Sequence, residues 1–214
     1  VLTKKFIDDS QLRFFTWCSA IPDAWILESF IYRGFWMARW FIEEMGQREA
    51  LEAEKRNTVP EAILDEIIRD IPPGSQGLML QPHWTPHPSM KFSKGSIIGF
   101  ASAHTRAHIY RAIIEGIVFE LRRMGEVVQK KTKVKLTELR VGGGGSKSDM
   151  AVQIAADIFG IPAKRMRSYE TCALGAAMDA AVGVGMFRDF ESAVDSMVAV
   201  GQEFTPDTES HKIY

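Results

Sequence analysis

Four consecutive glycines, Gly142 to Gly145, followed by the polar residues Ser146, Ser148 and Asp149, form the stretch of this sequence best suited to chemistry. Glycine lets the backbone take positive φ angles and come close to a ligand, and a helix that starts there presents unpaired N–H groups at the positive end of its dipole. Such a corner suits a phosphate group or the edge of a nucleotide. The alternative is a flexible connection without a ligand, because glycine runs are common in loops.

A strand and a helix must position this loop. Leu139 and Val141 form a short apolar strand pattern before it, and Met150, Ile154 and Ile158 repeat at helical spacing after it. We therefore predict a strand, a glycine loop and a helix in succession. The loop matches neither the P-loop pattern nor the dinucleotide-binding pattern, so a phosphate site here belongs to another class.

Two pairs of histidines are further candidates for chemistry. His83 and His87 flank Trp84 in a predicted loop, where imidazoles could bind a metal and the aromatic ring could stack on a sugar. A surface loop stiffened by prolines is favoured over a metal site, because the sequence places no third ligand. His104 and His108 lie one turn apart, but the glutamate of a zinc-protease helix is missing, so we interpret them as a polar helix start.

Composition excludes several classes of protein. The chain has 214 residues and a net charge of −1, which gives no electrostatic argument for nucleic acid or for an anionic membrane. Its two cysteines stand far apart without ligand spacing, so reduced thiols and a cytoplasmic location are expected. No apolar run is long enough for a membrane helix. The N-terminus has neither a starting methionine nor a signal peptide, so we expect a fragment.

The remaining elements follow from hydrophobic periodicity and turn residues. We interpret the charged stretch 47–70 as a solvated helical face and the stripe containing Trp36 and Trp40 as core packing. The other predicted elements are, in chain order, a hairpin turning at Pro22-Asp23, a helix after Gly34, a helix start at Val59-Pro60, a buried strand over 77–82, a long helix over 103–132, a helix of small residues over 173–185 and a final amphipathic helix.

Several motifs in one order resemble the C-terminal domain of the FGGY carbohydrate kinases. The glycine loop with Ser148 and Gln153 is followed at the family's spacing by Glu170-Thr171 and a run of small residues. Phe100 departs from the family's second signature, which otherwise matches at Gly95, Ile97, Gly99, His108, Ile109, Ala112, Ile113, Ile114 and Glu115. Within the family, the stretches 72–79 and 205–214 are most similar to autoinducer-2 kinase and related xylulokinase-like members.

The resemblance implies a fold and a domain organisation. The expected fold class is α/β, an actin-like ATPase (ribonuclease H-like) domain with a mixed sheet flanked by helices. Residues 1–214 then form one C-terminal kinase domain, incomplete at its N-terminal edge, with the N-terminal kinase domain absent from the chain. The expected partners are that N-terminal domain, a small sugar or polyol substrate and a second copy of the chain in a homodimer, with no nucleic acid and no membrane.

The resemblance also implies an activity, transfer of the γ-phosphoryl group of ATP, with Mg²⁺, to a hydroxyl of a pentulose-like sugar or of autoinducer-2. Positioning and charge stabilisation dominate such transfer, with a carboxylate that takes the hydroxyl proton. The family places this aspartate before Val1, so we assign no catalytic residue to Asp8, Asp9 or Asp23 and expect the isolated piece to be inactive. Residues 83–88 replace a family loop, which leaves the sugar open.

Carried over residue by residue, the resemblance assigns nucleotide contacts to Gly144, Ser148 and Gly34. Gly143 and Gly145 join them on loop geometry alone, and no metal ligand is assigned. The alternative function is a non-catalytic actin-like module that senses a nucleotide or a sugar. A third possibility is a glycine-loop protein that binds no nucleotide.

Overall fold

The computed structural model describes every residue from Val1 to Tyr214, and its strands form three small sheets. The strands are β1 (Leu2–Thr3), β2 (Phe15–Cys18), β3 (Trp25–Glu28), β4 (Met79–Gln81), β5 (Ser96–Ile98), β6 (Leu139–Val141), β7 (Ala163–Met166) and β8 (Val200–Phe204). The helices are α1 (Trp36–Met45), α2 (Gln47–Arg56), α3 (Pro60–Ile68), α4 (Arg106–Thr132), α5 (Asp149–Phe159), α6 (Thr171–Gly183), α7 (Phe190–Met197) and α8 (Thr208–Ile213).

The sheets combine parallel and antiparallel pairing. In the first, β1 and β2 both pair antiparallel with β3, so the strand order is β1-β3-β2. In the third, β6 runs parallel to β7, and β8 pairs antiparallel with β7. The second sheet is the antiparallel pair of β4 and β5. The predicted mixed arrangement of strands and flanking helices is therefore confirmed.

The long helix α4 is the centre of the core. It packs against α1, α3, α5 and strand β4. The close approach to β4 depends on Gly116, because a Cβ there would lie 2.3 Å from the carbonyl oxygen of Leu80. The largest fully buried side chains of this cluster come from these four helices and from Leu78 just before β4, and they include Met37, Phe41, Leu64, Ile68, Leu78, Tyr110, Ile113, Ile117, Ile154 and Ile158.

A buried ionic cluster ties the last residue of the chain to α4. Arg111 and Glu115, one turn apart on α4, have side chains that are 5% and 3% exposed and whose Nε and Oε1 atoms lie 2.8 Å apart. The guanidinium of Arg111 also donates to the Tyr214 hydroxyl at 2.9 Å. The carboxylate of Glu115 accepts three further hydrogen bonds, from the Tyr214 hydroxyl at 2.6 Å, the backbone N–H of Gly74 at 3.0 Å and the Ser75 hydroxyl at 2.8 Å.

Most predicted elements are confirmed, and the differences have local causes. The hairpin, the helix after Gly34 and the helix that starts at Pro60 are present. The predicted buried strand 77–82 is shorter, and it buries one face only: Leu78, Leu80 and Pro82 are buried, whereas Met79 and Gln81 are exposed. Short elements without a clear periodic pattern were not predicted, namely β1, β5, β8 and α8. None of the helices combines the length and the apolar character needed to cross a membrane.

The prediction that His83 and His87 lie on a surface loop is wrong. Both are buried, and His87 packs against aromatic residues of β2 and of the segment that follows β3. The His87 ring lies 6.3 Å from Phe15 and 5.8 Å from Phe30, measured between ring centroids. The Ser89 backbone N–H donates to Nδ1 of His87 at 3.2 Å, and Nε2 has no hydrogen-bond partner. His87 therefore fixes the loop on the sheet.

We expect His87 to make the stability of the fold depend on pH. Burial lowers the pKa of His87, with Arg123 and His83 acting in the same direction and Glu120 opposing them. The unfolded chain then binds the proton more readily, so this contribution to stability is complete above the unfolded pKa of about 6.5 and is lost as pH falls below it. The His87→Phe variant should show a shallower loss of unfolding free energy between pH 7 and pH 5, by at most about 1.4 kcal/mol per pH unit.

Chemical denaturation at several pH values measures this slope. Phe30→Leu is the matched control, because it loosens the same aromatic cluster but keeps the imidazole. It should lower stability at every pH and retain the slope of the parent. If the unfolding free energy of His87→Phe changed with pH as steeply as that of the parent, His87 would not be the source of the pH dependence.

Candidate functional site

The glycine run forms a tight corner between β6 and α5. Gly143 has φ 79° and ψ −178°, a conformation that side chains disfavour, and its N–H donates to the Tyr169 carbonyl at 2.9 Å. A Cβ at Gly142 would lie 2.4 Å from Thr171, so this glycine allows the start of α6 to approach. At Gly143 and Gly144 a Cβ would meet no atom within 4 Å, which means that the tip of the loop is open on one side.

Gly145 lies against an aromatic ring from the start of α1. A Cβ at Gly145 would lie 2.7 Å from the Phe35 ring, so the loop and the turn before α1 touch at this point. Gly34 forms that turn, where its N–H donates to the Ile31 carbonyl at 3.1 Å. The structure therefore brings Gly34 near the glycine loop, but Phe35 and Trp36 are the residues that line the space beside it.

Ser148 is occupied by the fold itself. Its hydroxyl donates to Oδ1 of Asp65 at 2.7 Å and accepts from the backbone N–H of Ala151 at 2.9 Å, which makes Ser148 the N-cap of α5. The other carboxylate oxygen of Asp65 accepts from the N–H of Met150 at 3.4 Å. The prediction that the N–H groups at this helix start are unpaired is therefore partly wrong. The N–H groups of Met150 and Ala151 already have acceptors, and the carboxylate of Asp65 lies where an anion was expected.

Asp65 is a buried residue of this region that the sequence reasoning missed. It belongs to the charged stretch 47–70, interpreted as a solvated face, yet it is buried. Burial raises its pKa, and the hydrogen bond from Ser148 opposes this shift. The apolar neighbours Ile63, Leu64 and Ile68 on the same helix were the available signal, because they place this side of α3 toward the core.

We expect Asp65→Leu to lower the free energy of unfolding by about 1–3 kcal/mol, because the Ser148 hydroxyl and the Met150 N–H lose a buried acceptor. Asp65→Asn is the matched control. It keeps an acceptor of the same shape and removes the charge that burial disfavours, so its stability should stay within about 1 kcal/mol of the parent. Urea denaturation measures both, and equal losses in the two variants would contradict the proposed role of the acceptor.

A cavity of about 760 Å³ opens beside the glycine loop, between α1, α3 and the start of α5. Aromatic and aliphatic side chains form one part of its wall, including Phe35, Trp36, Val59, Ala62, Ile114 and Met150. Gly144 and Gly145 form its edge, and Ser148 lies deeper. Of the five residues predicted to contact a nucleotide, Gly144, Gly145 and Ser148 line this cavity, whereas Gly143 and Gly34 lie next to lining residues.

The charges around the cavity are mixed. Three basic residues, Arg39, Arg69 and Lys147, face four acidic ones, Glu61, Asp65, Glu66 and Asp149. Two of the basic groups already have partners, since Arg39 pairs with Glu43 at 2.8 Å and the Lys147 ammonium lies 5.4 Å from the Tyr169 ring. The interior therefore does not favour several phosphate charges, but its flat apolar wall and its carboxylates suit a base and sugar hydroxyls.

The other predicted chemistry has structural explanations. His108 forms a capping box with Thr105 at the start of α4, and His104 precedes that helix, as expected for a polar helix start. No group of three His, Cys, Asp or Glu side chains is close enough to hold a metal ion. Cys18 and Cys172 are free and exposed.

Solved structures with the same architecture are sugar kinases. A xylulose kinase from Rhodospirillum rubrum superimposes on the whole chain with a TM-score of 0.79 and 24% sequence identity, over 41% of its own length. A glycerol kinase from Plasmodium falciparum, solved with ADP, covers 89% of the chain with a TM-score of 0.70 and 20% identity, over 36% of its own length. The fold is therefore an α/β domain of the actin-like ATPase type, which confirms the expected fold class.

Sequence comparison identifies the family. The profile described as the FGGY family of carbohydrate kinases, C-terminal domain, matches residues 18–184. An uncharacterized sugar kinase of Escherichia coli strain K12 is 34% identical over 197 residues, which is 92% of this chain and 40% of that protein. The chain belongs to the FGGY family of carbohydrate kinases, as a C-terminal domain, and it spans about 40% of the length of this relative.

Proposed function

We propose that this chain is the nucleotide-binding C-terminal part of an ATP-dependent kinase that phosphorylates a hydroxyl of a small sugar or polyol. The observation that carries the proposal is the cavity of about 760 Å³ whose edge is the open tip of the glycine loop. The family match and the kinases among its relatives support the reaction class. They do not favour the alternative of a non-catalytic sensing module.

The charges and shape of the cavity support one orientation of the nucleotide. A purine would lie against the apolar wall that contains Phe35 and Met150, and the carboxylates of Glu61 or Glu66 would accept hydrogen bonds from ribose hydroxyls. The phosphates would leave the cavity across Gly143 and Gly144, where the open backbone allows close approach. Ser148 then acts indirectly, by fixing the start of α5 through Asp65.

Phosphoryl transfer requires a carboxylate that accepts the hydroxyl proton, and none of the aspartates Asp8, Asp9 and Asp23 is suited to this role. Asp9 is buried and bonded to Arg13, whose hydrogen bond lowers the pKa of Asp9 to about 2. Asp8 and Asp23 lie outside the cavity. We infer that the catalytic carboxylate is supplied by an N-terminal domain of a longer protein and that this piece alone does not turn over.

A metal ion would accompany the nucleotide. Mg²⁺ usually keeps several waters and binds substrate phosphates with one or two carboxylates, so the nucleotide phosphates would supply most of its protein-independent ligands. When bound, the metal would neutralise negative charge on the transferred phosphoryl group. The sugar is proposed to be a pentulose or a related compound such as autoinducer-2. The reaction is proposed to occur in the cytoplasm, and the full-length protein is proposed to form a homodimer.

Calorimetric titration of the chain with ATP, ADP and free ribose 5-phosphate tests the binding part of the proposal. ADP and ATP should bind with similar, weak affinity, whereas ribose 5-phosphate should not bind. In nuclear magnetic resonance spectra of the same titrations, ADP and ATP should shift the amide signals of Gly143 and Gly144. Absence of perturbation at millimolar ADP would contradict the proposal. A coupled assay of the longer protein with pentuloses, polyols and autoinducer-2 then tests the transfer reaction.

A further inference from the structure

The guanidinium of Arg165 joins the glycine loop to the start of α5. Its Nη1 atom donates to the Ser146 carbonyl at 3.1 Å and to Oδ1 of Asp149 at 2.6 Å. Ser146 belongs to the short 3-10 turn that ends the glycine run, and Asp149 is the first residue of α5. Arg165 does not line the cavity beside the glycine loop, so it acts on the wall of that cavity from behind.

The third sheet holds the Arg165 side chain in place. Arg165 lies on β7 between Val141 of β6, the last residue before the glycine run, and Gln202 of β8. Its Nη2 atom donates to the side chain of Gln202, and its guanidinium lies 5.2 Å from the centre of the Phe204 ring. The Arg165 side chain is 12% exposed. A planar guanidinium that is largely buried and has several partners has little freedom to move, so its position is fixed before a ligand arrives.

The bond to Ser146 affects which backbone groups of the loop can face a ligand. Backbone N–H groups attract a phosphate, whereas carbonyl oxygens carry partial negative charge and repel it. Arg165 engages the Ser146 carbonyl, and the Gly143 carbonyl accepts from the N–H and the hydroxyl of Ser146 at 3.2 and 2.7 Å. Two carbonyl oxygens of the loop are thus bonded within the protein and are not free to repel a phosphate at the open tip.

The bond to Asp149 affects the charge of the cavity wall. The Asp149 side chain is 62% exposed and lines the cavity, so a negative charge lies beside the space proposed for the nucleotide. This charge acts inside the cavity, because burial raises the pKa of Asp65 and the charge of Asp149 adds to that shift. The guanidinium of Arg165 places the opposite charge in contact with Asp149 and offsets its repulsion of a phosphate.

We propose that Arg165 is a positioning residue for the phosphates of the nucleotide. It holds the Ser146 carbonyl behind the loop and offsets the charge of Asp149. The phosphates can then cross the open tip at Gly143 and Gly144. This inference rests on the proposed function, in which the phosphates leave the cavity across the glycine loop.

Calorimetric titration of the full-length protein with ADP and with adenosine tests the role of Arg165. Arg165→Met keeps a long side chain but removes the charge and the hydrogen bonds, so it should weaken ADP binding at least about tenfold. Its affinity for adenosine should stay within about twofold of the parent, because adenosine has no phosphate. Equal weakening of ADP and adenosine would mean that Arg165 only supports the shape of the cavity, which would overturn the proposal.

Arg140→Met is the matched control. Arg140 lies on β6 next to Val141, and its exposed guanidinium bonds to Glu138. This variant removes the same charge from the same sheet and leaves the bonds to the loop intact, so it should bind ADP as the parent does. If Arg140→Met weakened ADP binding as much as Arg165→Met, a general loss of positive charge would explain both results and the proposal would be overturned.

Removal of the Asp149 charge tests the electrostatic part of the role. Asp149→Asn alone should change ADP affinity less than about twofold, because Arg165 already offsets this charge. In the Arg165→Met background the same substitution should raise ADP affinity at least about threefold, because the two groups are coupled. No gain in the double variant would overturn the neutralising role of Arg165.

A lysine provides a milder test that does not depend on the methionine variant. Arg165→Lys keeps the positive charge but loses the planar fork that reaches Ser146 and Asp149 together, so it should weaken ADP binding at least about threefold and leave adenosine binding unchanged. ADP affinity equal to that of the parent in both Arg165 variants would overturn the proposal and leave the proposed function intact. If the parent bound no ADP, the proposed function would be wrong, and this inference with it.

Discussion

Replacing Glu115 by alanine is expected to lower the free energy of unfolding by about 3–5 kcal/mol, because the buried guanidinium of Arg111 loses its carboxylate partner. The Ser75 hydroxyl and the Gly74 N–H lose the same acceptor. These residues form a turn in which φ is 80° at Gly74 and 48° at Ser75, a conformation that the carboxylate holds in place. Urea denaturation followed by circular dichroism measures the loss.

The same helix offers a matched control. Arg122 and Glu126 have the same spacing as Arg111 and Glu115, with Nε and Oε1 atoms 3.1 Å apart, but the Glu126 side chain is 57% exposed. Glu126→Ala should cost less than about 1 kcal/mol, because solvent screens an exposed pair. If Glu115→Ala and Glu126→Ala lowered the free energy of unfolding by similar amounts, burial would not explain the contribution of the Arg111–Glu115 pair.

Gly144→Val is expected to weaken ADP binding at least about 30-fold, which corresponds to about 2 kcal/mol, while the fold is retained. Gly144 is exposed at the edge of the cavity and does not have a positive φ. A side chain there would meet no protein atom within 4 Å of its Cβ, so the valine would occupy space proposed for the nucleotide. Calorimetric titration of the full-length protein with ADP gives the affinity.

Gly183→Val is the control for this substitution. Gly183 lies at the end of α6, where an added Cβ also meets no atom within 4 Å, but it does not line the cavity. Its variant should bind ADP with the affinity of the parent. If Gly144→Val bound ADP normally, the nucleotide would not cross the tip of the glycine loop, and the proposed orientation would be wrong.

The local part of the site could be predicted from sequence because it depends on neighbouring residues. The strand containing Val141, the glycine corner and the helix from Asp149 follow one another in the chain, and glycine permits the conformation that Gly143 adopts. The long helix α4 was predicted for a similar reason, because its apolar periodicity extends over many turns.

The remainder depends on contacts between distant residues. Asp65 bonds to Ser148 from 83 positions away, and although its apolar neighbours on α3 indicate a buried side, nothing local shows which group it bonds. The contact of Phe35 with Gly145 likewise requires the folded chain. Ser148 is predicted to contact a nucleotide by resemblance, and its two side-chain hydrogen bonds, which stabilise the start of α5, could be found only in the folded structure.

The helix of small residues, α6, shows how a sequence pattern and its environment can differ. Its alanines and glycines are small enough to allow close approach of another element, yet only Ala181 is buried. The structure confirms the predicted helix, and most of its small side chains face solvent or are only partly covered.

The attachment of Tyr214 to α4 has a consequence for folding during synthesis. Tyr214 hydrogen-bonds to Glu115 across 99 positions, so this contact of the ionic cluster forms only after 99 residues have followed Glu115 in synthesis. At typical elongation rates this is a delay of roughly 5–20 s. During this interval the guanidinium of Arg111 lacks the Tyr214 hydroxyl as a hydrogen-bond acceptor. At the start of the interval, nascent α4 can be covered only by the elements that precede it in the chain.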